Sequence, residues 1–247
     1  MVQIIDTLIL SADENMRYDA ELLDNLREGD GPLLHIYQWK KPSVTYGYFV
    51  KPEQFLNLQE LENQGIECAR RPTGGGIIFH IWDLSFGILI PNGHEGYSNK
   101  ALDNYQYINR MVQEAVQKVI QEEGIGLLPI DPTHEKASVK HFCMAKPTIY
   151  DVMLGGLKIA GAAQRKKPQG FLHQGSISLA MPDFGLLDKV VIDPAVTEAM
   201  RVNTFALFEE MKEPVHQRMS DALKQVLVCH LSINKQVGMI ASQFRLN

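Results

Sequence analysis

Two apolar runs meet at Gly155 and Gly156, and this junction constrains the fold more than any other feature of the chain. Adjacent glycines supply the backbone angles that a tight hairpin turn demands. The flanking runs, IYDVML and LKIAGAAQ, are therefore expected to pair antiparallel. A further strand is expected at 171–179 (FLHQGSISL), with earlier ones at 33–38, behind Pro32, and at 43–48. Ser11 can cap a helix running to about Leu26, with Asp13 and Glu14 in its first turn. Pro52 suits the first turn of a second helix ending near Gln64, with Gly65 as its stop. The strongest helical period lies at 98–123, where Leu102, Tyr105, Ile108, Met111, Val112, Ala115, Val116, Val119 and Ile120 recur between Ser98 and Gly124. That stripe is core and carries no chemistry. The tail reads as helical from about Asn203. Regular βαβ alternation is missing. The expected fold is α+β, a largely antiparallel sheet with packed helices, in one domain over 1–247 with a short helical tail.

Composition narrows the function. The 247 residues can bury a sizeable core, and 45% hydrophobic with 21% charged residues is ordinary for a soluble protein. A net charge of -5 argues against nucleic acid as partner. No apolar run is long enough to cross a membrane, and the start, MVQIIDTLILSADENMRYD, lacks the basic leading region of a secretory signal. The cysteines are Cys68, Cys143 and Cys229, an odd set with no CxxC pair. That pattern predicts neither a disulfide framework nor a structural zinc site, no metal is expected, and the expected location is the cytoplasm.

Three segments carry candidate chemistry. Residues 67–80 read ECARRPTGGGIIFH. Gly74, Gly75 and Gly76 let backbone approach a ligand, successive N–H groups there can hold an anion, and Arg70 and Arg71 can add charge-assisted contacts. The bland alternative is a hairpin with a charged rim. The run is neither a Walker loop nor a GxGxxG fingerprint. His80 closes the following strand, as either a structural residue or a general base. In the second segment, Lys158 precedes the small residues Ala160, Gly161, Ala162 and Ala163, which leave room for an extended ligand. Its ammonium can hold a carbonyl, carboxylate or thiolate, or simply be solvated. In the third, Cys143 lies in an irregular stretch at 130–148, with Lys140, His141 and Lys146 close by. Cationic surroundings favour the thiolate, a competent nucleophile for acyl transfer, although a lone cysteine near a histidine is also often inert. Cys68 and Cys229 read as small buried hydrophobes.

Taken together and in this order, RRPTGGGIIFH at 70–80, KIAGAAQRK at 158–166 and LHQGSISL at 172–179 resemble the biotin/lipoate protein ligase and octanoyltransferase superfamily. The resemblance covers roughly residues 30–190 and implies protein lipoylation on a catalytic domain of that type. One branch of the superfamily activates lipoate with ATP and Mg2+ and follows the histidine with Asp-x-Gly-Asn. The other takes the acyl chain from a thioester through a cysteine and needs no cofactor. Here His80 is followed by Ile81, Trp82, Asp83, Leu84, Ser85 and Phe86, which is similar to the cysteine-dependent octanoyltransferases. Gln164 looks like that branch too, as does Cys143 with Pro147, Tyr150 and Asp151 following it. The tail after 190 is short for a ligase accessory domain. Ala162 departs from the usual serine, and His173-Gln174-Gly175 stands where Gln-His-Gly or His-His-Gly is commoner.

The resemblance implies Cys143 and Lys158 as catalytic residues. It implies Arg70, Arg71, Thr73, Gly74, Gly75, Gly76, His80, Gly161, Ala162, Ala163, His173 and Gly175 as substrate-binding. The transferred group would be octanoate or lipoate. The acceptor would be a lysine on a lipoyl carrier of the glycine cleavage H protein or 2-oxoacid dehydrogenase E2 type, with acyl carrier protein as a possible donor. His80 or His173 would take the acceptor amine's proton, and Arg165, Lys166 and Lys167 could steer an acidic carrier. The alternatives are an ATP-dependent ligase acting through lipoyl-AMP, and a non-catalytic acyl- or carrier-binding relative.

Overall fold

A computed structural model of the chain describes residues 1–131, 139–210 and 212–243, with side chains described as far as 231. Residues 132–138 of the irregular stretch before Cys143 lie outside the described residues. The strands are β1 (Gln3–Leu10), β2 (Leu33–Trp39), β3 (Ser43–Tyr46), β4 (Glu67–Arg70), β5 (Ile77–His80), β6 (Asp83–Pro91), β7 (Gly126–Leu127), β8 (Val152–Leu154), β9 (Leu157–Lys167) and β10 (Gly170–Ser178). The helices are α1 (Ala12–Asn25), α2 (Leu58–Asn63), α3 (Ala101–Ile120), α4 (Phe184–Val190), α5 (Pro194–Asn203) and α6 (Glu213–Gln243).

The architecture is α+β. Seven strands form one sheet in the order β1-β2-β6-β10-β9-β8-β7, and only the β1/β2 pair is parallel. The hairpin at Gly155-Gly156 joins β8 and β9, and both glycines have positive φ. A smaller sheet, β4-β3-β5, carries the glycine turn between β4 and β5.

Alternation along β6 and β10 assigns the faces of the large sheet. Leu84, Phe86, Ile88 and Ile90, with Phe171 and Ile177, pack in one core with Ile108, Met111 and Val112 of α3 and Leu223 and Val226 of α6. The opposite residues, Leu89 and Leu172, meet Leu23 of α1. A separate core joins Val44, Ile77 and Phe79 of the small sheet to Phe142, Met144, Leu187 and Met200. A cleft opens between the α1 face of the large sheet and this small sheet.

Several elements differ from expectation. The second helix does not run from Pro52: a 3-10 turn at Pro52–Gln54 is followed by Leu56 bridging Val191, and α2 starts only after Asn57, which accepts from Glu60 N–H at 3.1 Å. Pairing with the α4 end competes successfully with helix there. Helix α3 begins after Lys100 rather than Ser98, whose hydroxyl instead accepts from Lys100 N–H at 3.1 Å. It ends on Gln121, at φ 54, before Gly124 is reached. The tail helix starts at Glu213, ahead of which α5 ends at Asn203. Strands β1 and β6 and helices α4 and α5 were not anticipated. Both faces of β6 are buried, which erases the alternation that marks a half-exposed strand.

Candidate active site

The site rests on a bulge. Met153 of β8 pairs with Lys158, whereas Val152 pairs with Ala160, so Ile159 is an extra residue in β9. A bulge of this kind re-aims the neighbouring side chain. Even-numbered residues further along β9 turn toward α3, as Gln164 does to reach His173. Lys158 is turned instead onto the face of Gly161 and Ala163. It is 3% exposed, and its ammonium lies 2.7 Å from Asp151 Oδ2. It also donates to the main-chain carbonyl of Cys143 at 2.7 Å and reaches that of Lys146 at 3.5 Å. Asp151 accepts the Tyr105 hydroxyl on its other oxygen at 2.6 Å, and the Thr148 N–H and hydroxyl at 2.6 and 3.0 Å. A buried pair persists when extra hydrogen bonds complete it in this way. Gly161 makes the room, because a Cβ there would lie 2.6 Å from Lys158 Nζ and 2.8 Å from Asp151 Oδ1.

The Cys143 segment is clamped from two sides. Cys143 N–H donates to Ile77 O of β5 at 2.9 Å, while Asn203 and Thr204 donate to the carbonyls of Ala145 and Met144 at 2.8 and 3.3 Å. Close approach to β5 requires Gly76, where a Cβ would sit 2.2 Å from His141 O. Cys143 itself is half-buried.

Under the glycine turn lies Arg71, 4% exposed. Its Nη1 donates to Thr45 O and Oγ1 at 3.1 and 2.8 Å, and its Nη2 to Gly74 O and Gly76 O at 3.2 and 2.6 Å. Burial pulls this guanidinium below its usual range, and Cys143, near enough to interact by charge and hydrogen bond, acts against that pull. Thr73 is fully buried and donates to Gln174 Oε1 at 2.7 Å, and Gln174 Nε2 donates to Asp19 Oδ2 at 2.6 Å. The turn is thus tied to α1.

Arg71, His80, Cys143, Lys158, Gly161, Ala162, Ala163 and Gly175 line one cavity, with about 410 Å³ of empty space counting its open mouth. Met16, Tyr37, Ile78, Met144, Gln174 and Ser176 complete it. Sequence reasoning passed over Met16 and Tyr37, whose positions in a helix and a strand look like ordinary core. It noted Asp151 only as a motif position, although a buried lysine demands such a partner.

The remaining expected residues lie elsewhere. Arg70 is exposed and stacks 4.8 Å from the Tyr48 ring centroid. Gly74 and Gly76 support Arg71 through their carbonyls, and Gly75, at φ +80, faces Ala163. His173 requires a correction: it sits on the α3 face of β10, against Tyr105 and Phe86, and does not line the cavity. Burial drives its pKa down to about 3, and Nε2 has no hydrogen-bond partner. It is not placed to take a proton from an amine in the cleft. His80 lines the cavity, but Nε2 lies 2.7 Å from Thr45 Oγ1, and Nδ1 lies 2.9 Å from both Asp83 Oδ2 and Ser85 Oγ. It directs no open nitrogen at the cleft. The basic run is occupied locally: Arg165 donates to Pro72 O, Lys166 to Asn99, and Lys167 pairs with Asp24.

Comparison with known proteins places this geometry. The model of the lipoyl protein ligase A/B catalytic domain matches residues 11–243. The chain belongs to that family. Within it, an octanoyltransferase LipM from Carboxydothermus hydrogenoformans is 26% identical over 250 residues, covering 99% of this chain and 90% of the relative. A lipoate protein ligase structure from Thermoplasma acidophilum with bound lipoic acid superposes with a TM-score of 0.67 at 22% identity, covering 92% of this chain and 84% of that one. A structure from work on an archaeal lipoylation system, a bi-partite lipoate protein ligase and its E2 lipoyl domain from Thermoplasma acidophilum, gives 0.65 at 20% identity, covering 92% and 83%. These structures share the family fold with the chain.

Proposed function

We propose that this enzyme transfers an octanoyl or lipoyl group through a thioester on Cys143 to a lysine of a lipoyl-carrier protein. One observation carries the reading. The hairpin lysine and the loop cysteine, 15 residues apart, meet at one cavity, with Lys158 Nζ 2.7 Å from the Cys143 carbonyl. The full-length similarity to octanoyltransferases LipM supports the same branch.

In the first half-reaction the Cys143 thiolate attacks the donor thioester carbonyl. The new carbon–sulfur bond forms as the donor's carbon–sulfur bond breaks, and the donor thiol departs with the proton that Cys143 gave up. Lys158 is held firmly by two acceptors and loosely by the third, so one N–H can turn to the developing oxyanion. One such donor contributes about 3 kcal/mol of barrier lowering. In the second half-reaction the acceptor amine attacks the acyl-enzyme, an amide forms, and the amine's proton leaves with the Cys143 sulfur. With both histidines occupied or turned away, the departing sulfur takes the role of base.

The same reading takes residues 1–247 as one catalytic domain working in the cytoplasm. Its acceptor is a lipoyl domain of H-protein or E2 type, by analogy with the archaeal bi-partite ligase, whose partner is an E2 lipoyl domain. Among the described residues no helix is long and apolar enough to cross a membrane. The route needs no ATP.

Mass spectrometry after incubation with an octanoyl-carrier thioester tests the reading. An octanoyl adduct on Cys143 is expected, and Cys143→Ala should abolish transfer. Full activity of Cys143→Ala with ATP, Mg2+ and free lipoate, accompanied by lipoate-dependent pyrophosphate release, would establish the ligase route instead. Tight acyl binding without turnover in either assay would indicate a binding relative.

A further inference from the structure

Arg71 is a buried guanidinium whose oxygen acceptors are all neutral: Thr45 O, Thr45 Oγ1, Gly74 O and Gly76 O. Buried charges are normally compensated by an opposite charge. Among the described residues no carboxylate lies within ion-pair distance of Arg71, and it shares the cavity wall with Cys143. Of the groups that act on Arg71 by charge, Cys143 and Tyr37 can become anionic, and burial holds the Tyr37 hydroxyl well above its usual range, which leaves the sulfur to balance the guanidinium.

A chain of hydrogen bonds leads away from Arg71 on the other side. Thr45 Oγ1 accepts from Arg71 Nη1 at 2.8 Å and lies 2.7 Å from His80 Nε2. His80 Nδ1 lies 2.9 Å from Asp83 Oδ2. A carboxylate only accepts, so Nδ1 carries the proton, and in that tautomer Nε2 is the acceptor for the Thr45 hydroxyl. Each link then has one direction: Arg71 donates to Thr45, Thr45 to His80, and His80 to Asp83. Trp39 stacks on the His80 ring at 4.2 Å between centroids, and Ser176 donates to Asp83 Oδ2 at 2.5 Å, so the far end is fixed.

We infer that Arg71 is the counter-ion of the Cys143 nucleophile, and that Asp83, His80 and Thr45 are positioning residues that aim it. This deepens the acyl-transfer reading and rests on it for the role of Cys143. It moves Arg71 from the substrate's charge to the enzyme's own sulfur. The Thr45 hydroxyl is the link that contacts the Arg71 guanidinium directly, so it is the most sensitive point.

Two readouts test the relay on the full chain: the rate of iodoacetamide alkylation at Cys143, and the single-turnover rate of Cys143 octanoylation from an octanoyl thioester. Thr45→Val is expected to lower both by about tenfold, and Thr45→Ser, which keeps the hydroxyl, to restore both to within about threefold of the parent. Asp83→Asn, which replaces an obligate acceptor with an amide, is expected to slow both as well, with circular dichroism confirming the fold of each variant. Equal rates for Thr45→Val and the parent, or Thr45→Ser as slow as Thr45→Val, would overturn the inference. If Thr45→Val fails to fold, the Asp83→Asn rates decide: unchanged rates overturn it. Alkylation does not depend on the acyl substrate. A parent enzyme that alkylates but never octanoylates therefore refutes the transfer reading and leaves the relay to be judged by alkylation alone.

Discussion

The carboxylate of Asp151 and the ammonium of Lys158 lie 2.7 Å apart in the interior, and they are unequal partners. Asp151 keeps three other donors, from Tyr105 and Thr148, whereas Lys158 has only main-chain carbonyls left when Asp151 is removed. Removing one member of a buried pair strands the other's charge. Asp151→Ala is expected to cost about 4 kcal/mol, and Lys158→Met, of similar length, about 2 kcal/mol. Urea denaturation measures both. Equal losses would mean that the surrounding hydrogen bonds do not share the load as described. Both variants should also lose acyl transfer.

Gly161 gives a second, separable expectation. A methyl group at this position meets the ammonium and carboxylate of that pair, so Gly161→Ala must push Lys158 aside. Overpacking costs about 1–3 kcal/mol, but a misplacement of about 1 Å can lower a rate about a hundredfold. Gly156→Ala is the control: its φ is +83, yet nothing lies within 4 Å of the added carbon. It should cost about 1 kcal/mol of stability and leave the transfer rate alone. Steady-state kinetics beside thermal melts distinguish the two, and similar rate losses in both would sink the steric account.

These two positions also show what the sequence could and could not disclose. The Gly155-Gly156 hairpin, the strand at 171–179 and the α+β architecture were legible because turn chemistry and apolar periodicity are local properties. The company of Lys158, Cys143 and Arg71 was legible only through the order of their motifs. The direction of Lys158 was not, because it depends on a bulge that a run of small residues does not mark. His173 was misplaced for a related reason. Its neighbour Gln174 occupies the cleft face of β10, and alternation sends His173 to the opposite side. Asp83 showed only as a position in the motif after His80, and Thr45 gave no signal, since a hydrogen-bonded chain across two sheets has no spacing in sequence.

The burial of His173 makes a pH prediction. Its folded pKa is about 3, set by desolvation, against an ordinary value near 6.5. The unfolded chain therefore binds a proton below pH 6.5 that the folded chain refuses. Stability from this group is fully present above pH 6.5, declines as pH falls through the window, and stops declining near pH 3. At pH 5 the loss relative to pH 7 is about 2 kcal/mol. His173→Gln carries no titrating group. Its stability deficit relative to the parent should shrink by about that amount between pH 7 and pH 5, because carboxylate effects common to both cancel. Chemical denaturation at the two pH values measures the change, and a constant deficit would show that His173 protonates in the fold.

The three cysteines should separate cleanly under limited alkylation. Cys68 is held up to about 11, first by burial and then by the charge of Asp13. At pH 8 only about one molecule in a thousand would carry the reactive thiolate there. Cys229, expected to be buried, is instead exposed on α6 and has no part in the cleft, so its labelling should be indifferent to substrate. Cys143 lies at the cavity, and an acyl group on its sulfur blocks alkylation. Peptide mapping after a short iodoacetamide pulse at pH 8 should therefore find Cys229 modified with or without octanoyl thioester. Cys143 should be modified only without it, and Cys68 modified only after unfolding. The proposed chemistry requires protection at Cys143. Protection at Cys68 or Cys229 would place the acyl chain on a different sulfur, and equal labelling of Cys143 in both samples would leave the cleft without its nucleophile.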